Sequence, residues 1–240
     1  MKVSGFFHIH SRWSCDSEMS LEEIRETALS AGAGFAVLAE HDQGLDWERV
    51  GEYRSEAERL SDREFMFIAG IEYDFDGSHL VLAGAPGYRR WNGIEEFLTG
   101  AAEGGGITVW AHPRPDQLVA LRAYAGRLHG MEVWSARYGC PHLPSPALAA
   151  VLAGLRRGNP GFWAFAGQDA HRPEQIRTLF LDVEVDAPAP GLVVEALRKG
   201  RFCARKGRVE MTSRGTVTGI WSPVRSAAYA AYRLLDRLNP

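Results

Sequence analysis

The chain repeats one pattern, a short apolar run that ends in a histidine or an acid. Runs of this kind occupy residues 35–39, 65–69, 107–111 and 162–166. They are too apolar for strands with one face in water, so we predict parallel strands that are covered on both faces. Segments with helical periodicity separate the runs. This alternation predicts an α/β fold in which the polar strand ends meet at one edge of the sheet.

The first strand carries two histidines close together in the segment Phe6–His10. Alternate residues of a strand face the same side. We therefore expect His8 and His10 to project together, with Phe7 and Ile9 on the opposite face. Two imidazoles at one strand end can chelate a transition metal.

Metal-capable side chains recur at or beside the other strand ends. With the first pair they are His8, His10, Asp16, His41, Glu72, His79, His112, Asp169 and His171. Imidazoles supply neutral nitrogen donors and the carboxylates balance charge, which is the combination that borderline divalent ions prefer. The set is too large for one ion. It predicts a cluster of two or three ions with a bridging carboxylate.

Composition excludes several other classes of protein. A length of 240 residues with 45% hydrophobic content fits one domain or two small ones with a sizeable core. The sequence has a net charge of −3 and no cluster of basic residues of the kind that proteins use to bind duplex nucleic acid. A nucleic-acid partner is therefore disfavoured. The 3 cysteines form no CxxC pair. The sequence shows no signal-peptide pattern and no long apolar run, so we expect a cytoplasmic protein with no membrane partner.

The order of these motifs resembles one known family, the PHP (polymerase and histidinol phosphatase) domain metallohydrolases. The matching segments are His8-Ile9-His10, Ser14–Ser17, Glu40-His41-Asp42, Gly70-Ile71-Glu72, His79, Ala111-His112-Pro113, Glu132-Val133-Trp134 and Gly167–His171. A later segment, residues 195–201, resembles the closing part of many short members. An HxH motif alone is weak, whereas the ordered set is specific.

The resemblance implies a distorted (β/α)7 TIM-like barrel of PHP type, which we place at residues 1–210. Helical periodicity from Val224 to Leu238 predicts a helix that packs on the barrel, within a C-terminal extension at residues 211–240. The family also implies two or three divalent ions, Mn, Zn or Fe. Carried over, the ligands form three groups, namely His8, His10, Glu72 and Asp169; Glu72 as a bridge with His79 and His112; and Asp16, His41 and His171.

The activity that the resemblance implies is that of a metal-dependent hydrolase of phosphoric esters. Hydroxide held between the ions would attack phosphorus in a small phosphorylated metabolite or nucleotide. Glu72, Asp169 and His171 are then the catalytic residues. Four arginines lie near the motifs as candidate phosphate ligands, with the first two preferred: Arg114, Arg172, Arg12 and Arg137. For each arginine the alternative is a solvated surface charge or a partner for an acid of the barrel.

Two other functions remain open at this stage. Similar metal barrels hydrolyse amides and carbamates, and the closing segment fits that branch as well. A non-catalytic PHP-like module would retain the fold without the reaction. Of the remaining polar residues, Glu132 is expected to orient a ligand histidine, with an acid further from the ions as the alternative. His129, at the start of a strand, is expected to be a structural or surface residue. The sequence leaves the oligomeric state open.

Overall fold

The computed structural model describes residues 1–176, 178–218 and 225–238. The strands are β1 (Lys2–Ile9), β2 (Phe35–Leu38), β3 (Glu40–His41), β4 (Met66–Ile68), β5 (Gly70–Phe75), β6 (Ser78–Ala83), β7 (Ile107–Trp110), β8 (Gly130–Ser135), β9 (Trp163–Gly167), β10 (Phe180–Glu184), β11 (Phe202–Lys206), β12 (Val209–Thr212) and β13 (Val217–Thr218). The helices are α1 (Leu21–Ser30), α2 (Trp47–Arg59), α3 (Ile94–Glu103), α4 (Leu118–Tyr124), α5 (Pro146–Leu155), α6 (Pro190–Arg198) and α7 (Arg225–Leu238).

The strands pair into two sheets. One has the order β13-β12-β11-β10-β1-β2-β4 and the other has the order β3-β5-β6-β7-β8-β9. The sheets meet where the end of β1 faces the segment after β9, since Gln168 N donates to Phe7 O at 2.9 Å and Asp169 N donates to His8 O at 2.7 Å. A mixed α/β fold with parallel strands is therefore confirmed. The single closed ring of a barrel is not, because the strands divide into two sheets.

One hairpin interrupts the expected alternation of strand and helix. Strands β5 and β6 pair antiparallel, and β6 also pairs antiparallel with β7. Asp76 and Gly77 make the turn with φ angles of 53° and 78°, as two-residue hairpin turns require. Asp74 Oδ1 accepts a hydrogen bond from Gly77 N at 2.6 Å. The hairpin carries His79 back beside the strand that holds Glu72.

The first helix shows how local sequence places the elements. Ser20 Oγ accepts from Glu23 N at 3.1 Å, and Glu23 Oε2 accepts from Ser20 N at 2.8 Å, so the two residues form a capping box. Leu21, Ile24 and Ala28 are buried on one face of α1. That face shares the smaller apolar cluster with Phe6 and Ile9 of β1 and with Ala36 and Leu38 of β2.

The C-terminal part continues the first sheet. Strand β11 pairs antiparallel with both β10 and β12. The domain boundary predicted after residue 210 therefore falls within β12. Ala228, Tyr229 and Tyr232 of α7 pack against the core. Val224 and the side chains of Leu235 and Leu238 lie outside the described residues. The division into a barrel and an extension stays a prediction. Within the described ranges, none of the helices has the length and apolarity that crossing a bilayer requires.

Candidate metal centre

An irregular backbone at the end of β1 brings His8 and His10 together. His8 has a φ of 67°, and the pairing register with β2 shifts between Phe7 and Ile9. This bulge sends Phe7 into the larger apolar cluster and Ile9 into the smaller one, so these residues do not share a face as predicted. The imidazoles of His8 and His10 converge, with their Nε2 atoms 3.1 Å apart.

Glu72 lies at the centre of the site. Its side chain is 1% exposed. Five imidazole nitrogens lie within 3.5 Å of its carboxylate oxygens, from His8 (3.4 Å), His79 (3.1 Å), His112 (3.2 Å), His10 (3.5 Å) and His41 (3.3 Å). The first three approach Oε1 and the last two approach Oε2. A carboxylate between two sets of histidines has the geometry of a bridging ligand.

The segment after β9 supplies the other side of the site. Asp169 Oδ1 lies 3.3 Å from His10 Nε2 and 3.8 Å from His8 Nε2. His171 Nε2 lies 3.0 Å from Asp16 Oδ2, and the same Asp16 oxygen is 3.5 Å from His41 Nε2. The structure thus brings together all nine side chains that the sequence singled out.

The donor atoms form overlapping groups of the size that ions require. Within the described residues, the groups whose donor atoms all lie within 4.8 Å of one another are His10, His41 and His171; His8, His10 and Glu72; His8, His112 and Asp169; and Glu72, His79 and His112. One buried atom there, Glu72 Oε2, accepts no hydrogen bond within the described part of the chain, although two imidazole nitrogens lie within 3.5 Å of it. Buried polar atoms normally have a partner. These residues fit a cluster of divalent cations.

Burial and neighbouring charges hold two of the ligands in forms suited to metal. Burial lowers the pKa of His10 to about 3, so its imidazole is neutral near pH 7. Burial alone would raise the pKa of Glu72, but His8, His112 and His79 together hold that pKa well below its usual range. A neutral imidazole beside an ionised carboxylate is what a divalent ion binds.

A buried acid orients two of the histidines. Glu132 is 1% exposed, and its Oε1 lies 2.8 Å from His8 Nδ1. Its Oε2 accepts a hydrogen bond from His112 N at 2.9 Å. A Cβ on Gly167 would lie 2.0 Å from Glu132 Oε1, so only glycine leaves room for this carboxylate. The contact agrees with the orienting role predicted for Glu132.

A second buried acid supports the loop after β1. Glu40 accepts hydrogen bonds from Ser11 Oγ at 2.6 Å and from Ser14 Oγ at 2.7 Å. Ser14 Oγ also lies 3.1 Å from His10 Nδ1. Burial raises the pKa of Glu40 to about 7. Ser14 and Glu40 therefore connect the loop that carries Asp16 to His10, one of the candidate ligands.

No model of a known protein family and no curated protein matches the chain. Solved structures do match. A two-domain protein from Bacteroides vulgatus, described as containing a predicted PHP-like metal-dependent phosphoesterase, has a TM-score of 0.65 at 18% identity and covers 88% of this chain and 66% of its own. The lesion-specific endonuclease EndoQ from Pyrococcus furiosus has a TM-score of 0.58 at 18% identity and covers 84% of this chain and 56% of its own.

A third structure, from Bifidobacterium adolescentis, is named a metal-dependent phosphoesterase on prediction. It has a TM-score of 0.51 at 14% identity and covers 70% of this chain and 87% of its own. The chain has a PHP-type fold. The resemblance predicted from the ordered motifs is confirmed at this level. The chain spans 66% of the length of the Bacteroides protein and 56% of the length of EndoQ.

The four candidate arginines of this PHP-type chain differ in their distance from the cluster. Arg137 Nη1 lies 3.0 Å from His171 Nδ1 and 3.4 Å from Asp169 Oδ2. The others point elsewhere: Arg12 pairs with Glu56, Arg114 lies 3.4 Å from Asp116, and Arg172 is exposed in a groove beside Asp16 and His171. Arg137, which was not one of the two preferred arginines, therefore makes the most direct contact.

Sequence reasoning missed Tyr138. Its ring centroid lies 4.8 Å from that of His112, and its side chain is 49% exposed at the mouth of the PHP-type site. Burial, with Asp169 beside it, raises the pKa of Tyr138 to about 12. Its position next to Arg137, directly after β8, was the available signal. His129 is not part of the cluster, and its Nδ1 accepts a hydrogen bond from Thr108 N at 3.0 Å, which agrees with the structural role expected for it.

Proposed function

We propose that this chain is a metal-dependent phosphoesterase of the PHP family that hydrolyses a small phosphorylated metabolite or nucleotide. The observation that carries the proposal is the position of Glu72, buried among five imidazoles with one carboxylate oxygen that accepts no hydrogen bond within the described residues. The PHP-type fold supports it. The reaction class comes from the likeness to structures described as phosphoesterases and remains part of the proposal.

Two or three divalent ions, Mn, Zn or Fe, are the proposed cofactors. His8, His10, Glu72 and Asp169 would hold one ion, and Glu72 would bridge to a second on His79 and His112. Asp16, His41 and His171 would hold a third. When bound, such ions lower the pKa of water from about 15.7 toward about 7 and offset charge on a phosphoryl group.

The protein side chains supply orientation and charge. Glu72, Asp169 and His171 are the proposed catalytic residues, since they link the three ligand groups. Arg137, 3.0 Å from His171 Nδ1, is the proposed phosphate ligand because a guanidinium matches two phosphate oxygens at once. Arg172, in the groove beside His171, is the second candidate. Arg12 and Arg114 pair with Glu56 and Asp116, acids that are not among the nine candidate ligands, and are weaker candidates.

The finer features of fold and location belong to the same proposal. We propose that the two sheets together form the distorted (β/α)7 barrel, and the hydrogen bonds between the end of β1 and residues 168–170 support this. The cytoplasmic location expected from the sequence stays a prediction.

A substrate panel tests the proposed activity. The protein would be loaded with Mn, Zn or Fe and assayed for phosphate release from metabolite and nucleotide monophosphates, for cleavage of aryl carbamates, and for cleavage of a single-stranded oligonucleotide. Phosphate release that is lost in His10→Ala and Asp169→Ala and retained in His129→Gln is the expected result. Carbamate cleavage without phosphate release would support the amidohydrolase alternative. A protein that binds no ion in metal-rich buffer would support the non-catalytic module.

A further inference from the structure

Helix α7 lies against the loop that delivers Arg137 to the candidate metal centre. This loop, residues 136–145, joins β8 to α5. The Tyr229 hydroxyl lies 2.6 Å from the position that a Cβ would take on Gly139. The ring of Tyr232 meets the ring of His142 edge to face, with centroids 5.9 Å apart. The helix therefore contacts the loop at two points along its length.

The opposite side of the same loop faces the metal centre. Arg137 Nη1 lies 3.0 Å from His171 Nδ1 and 3.4 Å from Asp169 Oδ2. The ring of Tyr138 packs on His112 with centroids 4.8 Å apart. A short piece of chain thus has the site on one side and α7 on the other.

The sheet holds the ends of the loop, whereas other elements hold its middle. Ser135 Oγ accepts from the backbone nitrogens of residues 137 and 138 at 3.2 and 3.0 Å. Ser145 N donates to Val133 O at 2.9 Å. Between these anchors, Lys206 Nζ donates to Pro141 O at 2.9 Å, and α7 packs on Gly139 and His142. Gly139, with a φ of 77° and no side chain, permits the close approach of Tyr229.

We propose that Tyr229 and Tyr232 are positioning residues that hold the 136–145 loop, and with it Arg137 and Tyr138, against the site. The inference rests on the proposed function for its kinetic consequence. None of the nine metal-capable side chains lies on α7 or on this loop. Loosening the helix therefore weakens substrate binding and leaves the metal content unchanged.

The double variant Tyr229→Ala, Tyr232→Ala tests the proposal. We expect kcat/KM for the best phosphoester to fall roughly 10- to 100-fold, mainly through a higher KM, because a small displacement of a binding group is costly. Metal content by elemental analysis should equal that of the wild type, and amide hydrogen exchange in residues 136–145 should speed up. Leu234→Ala is the matched control, since Leu234 lies on the same helix and is 60% exposed.

A rescue experiment covers the case in which the double variant fails to fold. Gly139→Ala places a methyl group against the Tyr229 hydroxyl and also strains a backbone with a φ of 77°, so it should lower kcat/KM. Tyr229→Phe removes that hydroxyl and should restore part of the loss when it is combined with Gly139→Ala. Additive effects in this cycle would overturn the proposal.

Further outcomes separate this inference from the proposed function. Unchanged exchange in residues 136–145 of the folded double variant would overturn the inference even in an active enzyme. Metal loss in parallel with activity would also overturn it, since it would indicate general damage to the fold. A wild-type protein that hydrolyses no phosphoester would overturn the proposed function, while the exchange measurement would still decide whether α7 holds the loop.

Discussion

Oε1 of Glu132 lies 2.8 Å from Nδ1 of His8, a contact between two fully buried side chains from β8 and β1, which are 124 residues apart in the sequence. The contact fixes the ring so that the other nitrogen, Nε2, faces the cluster. Carboxylates behind ligand histidines commonly set the ring orientation and basicity in metal sites. We therefore expect the metal affinity of the centre to depend on Glu132, a residue that does not itself contact the ions.

We expect Glu132→Gln to weaken metal binding by roughly 10- to 100-fold, because an amide supports the imidazole less well than a carboxylate does. Competition with a chelator, followed by calorimetry, measures the change. Glu48→Gln is the matched control, since Glu48 is exposed on α2. Equal metal affinity in wild type and Glu132→Gln would contradict the orienting role.

Gly167→Ala should displace the Glu132 carboxylate and so weaken its contact with His8. The new methyl group would lie 2.0 Å from Glu132 Oε1, so the carboxylate must move. We expect a loss of about 1–3 kcal/mol in the free energy of unfolding, as for other overpacked interiors, together with weaker metal binding. Gly51→Ala is the control, because Gly51 lies in α2 with nothing within 4 Å of the added carbon. That change should stabilise by about 0.4–1 kcal/mol. Similar denaturation midpoints for both variants would rule out the steric argument.

Arg137→Ala should raise KM for a phosphoester more than it lowers kcat, and Arg137→Lys should recover only part of the loss, because a lysine cannot pair with two oxygens. Steady-state kinetics on the best substrate measures both constants. Arg122→Ala, at an exposed position of α4, serves as the control. A wild-type KM in Arg137→Ala would shift the phosphate-binding assignment to Arg172.

Asp182 should contribute to stability at neutral pH. Burial would raise its pKa, but Arg205 (2.7 Å), Ser4 (2.6 Å) and Lys2 (2.9 Å) hold the pKa down to about 2. The unfolded value is about 3.9, so the contribution is present above that pH and is lost as the pH falls toward 2.

Asp182→Asn should therefore lower the free energy of unfolding by about 2 kcal/mol at pH 7. Urea denaturation of the variant and the wild type at pH 7 and at pH 3 measures the difference. The difference in the free energy of unfolding between the two proteins should be smaller at pH 3, because part of the stabilisation by the ionised Asp182 is lost below about pH 3.9. A gap that widens on acidification would reverse the assigned sign.

The positions of the nine candidate ligands could be predicted from the sequence, because all but Asp16 lie in or close to a recognisable strand. The bulge at His8 could not, since its φ of 67° is imposed by the pairing of the β1 end with two neighbouring segments. Nor could the choice among arginines. Proximity in sequence favoured Arg114 and Arg172, whereas the path of the 136–145 loop brings Arg137 to His171. Such paths depend on tertiary packing, which local patterns do not encode.

The antiparallel hairpin of β5 and β6 is a further difference between the alternation predicted from the sequence and the observed fold. Residues 70–83 read as two strands, and the two-residue turn at Asp76 and Gly77 turns the chain back at once. A crossover helix between parallel strands needs a dozen or more residues, and this turn has no room for one. His79 therefore reaches Glu72 from the start of a strand.

Among the residues that the structure describes, three of the four non-glycine residues with positive φ are candidate ligands of the centre, namely His8 (67°), His112 (25°) and Asp169 (48°). Such backbones cost on the order of 1–3 kcal/mol each. Glycine adopts such a φ freely, but Asp169→Gly also removes a buried carboxylate that lies 3.3 Å from His10 Nε2 and 3.4 Å from Arg137 Nη1. Hydrolysis should be lost in this variant, while the relief of backbone strain offsets part of the lost contacts, so its melting temperature should change less than its activity. A screen of this chain for heat resistance alone would therefore pass variants that have lost the chemistry, and it needs an activity assay beside it.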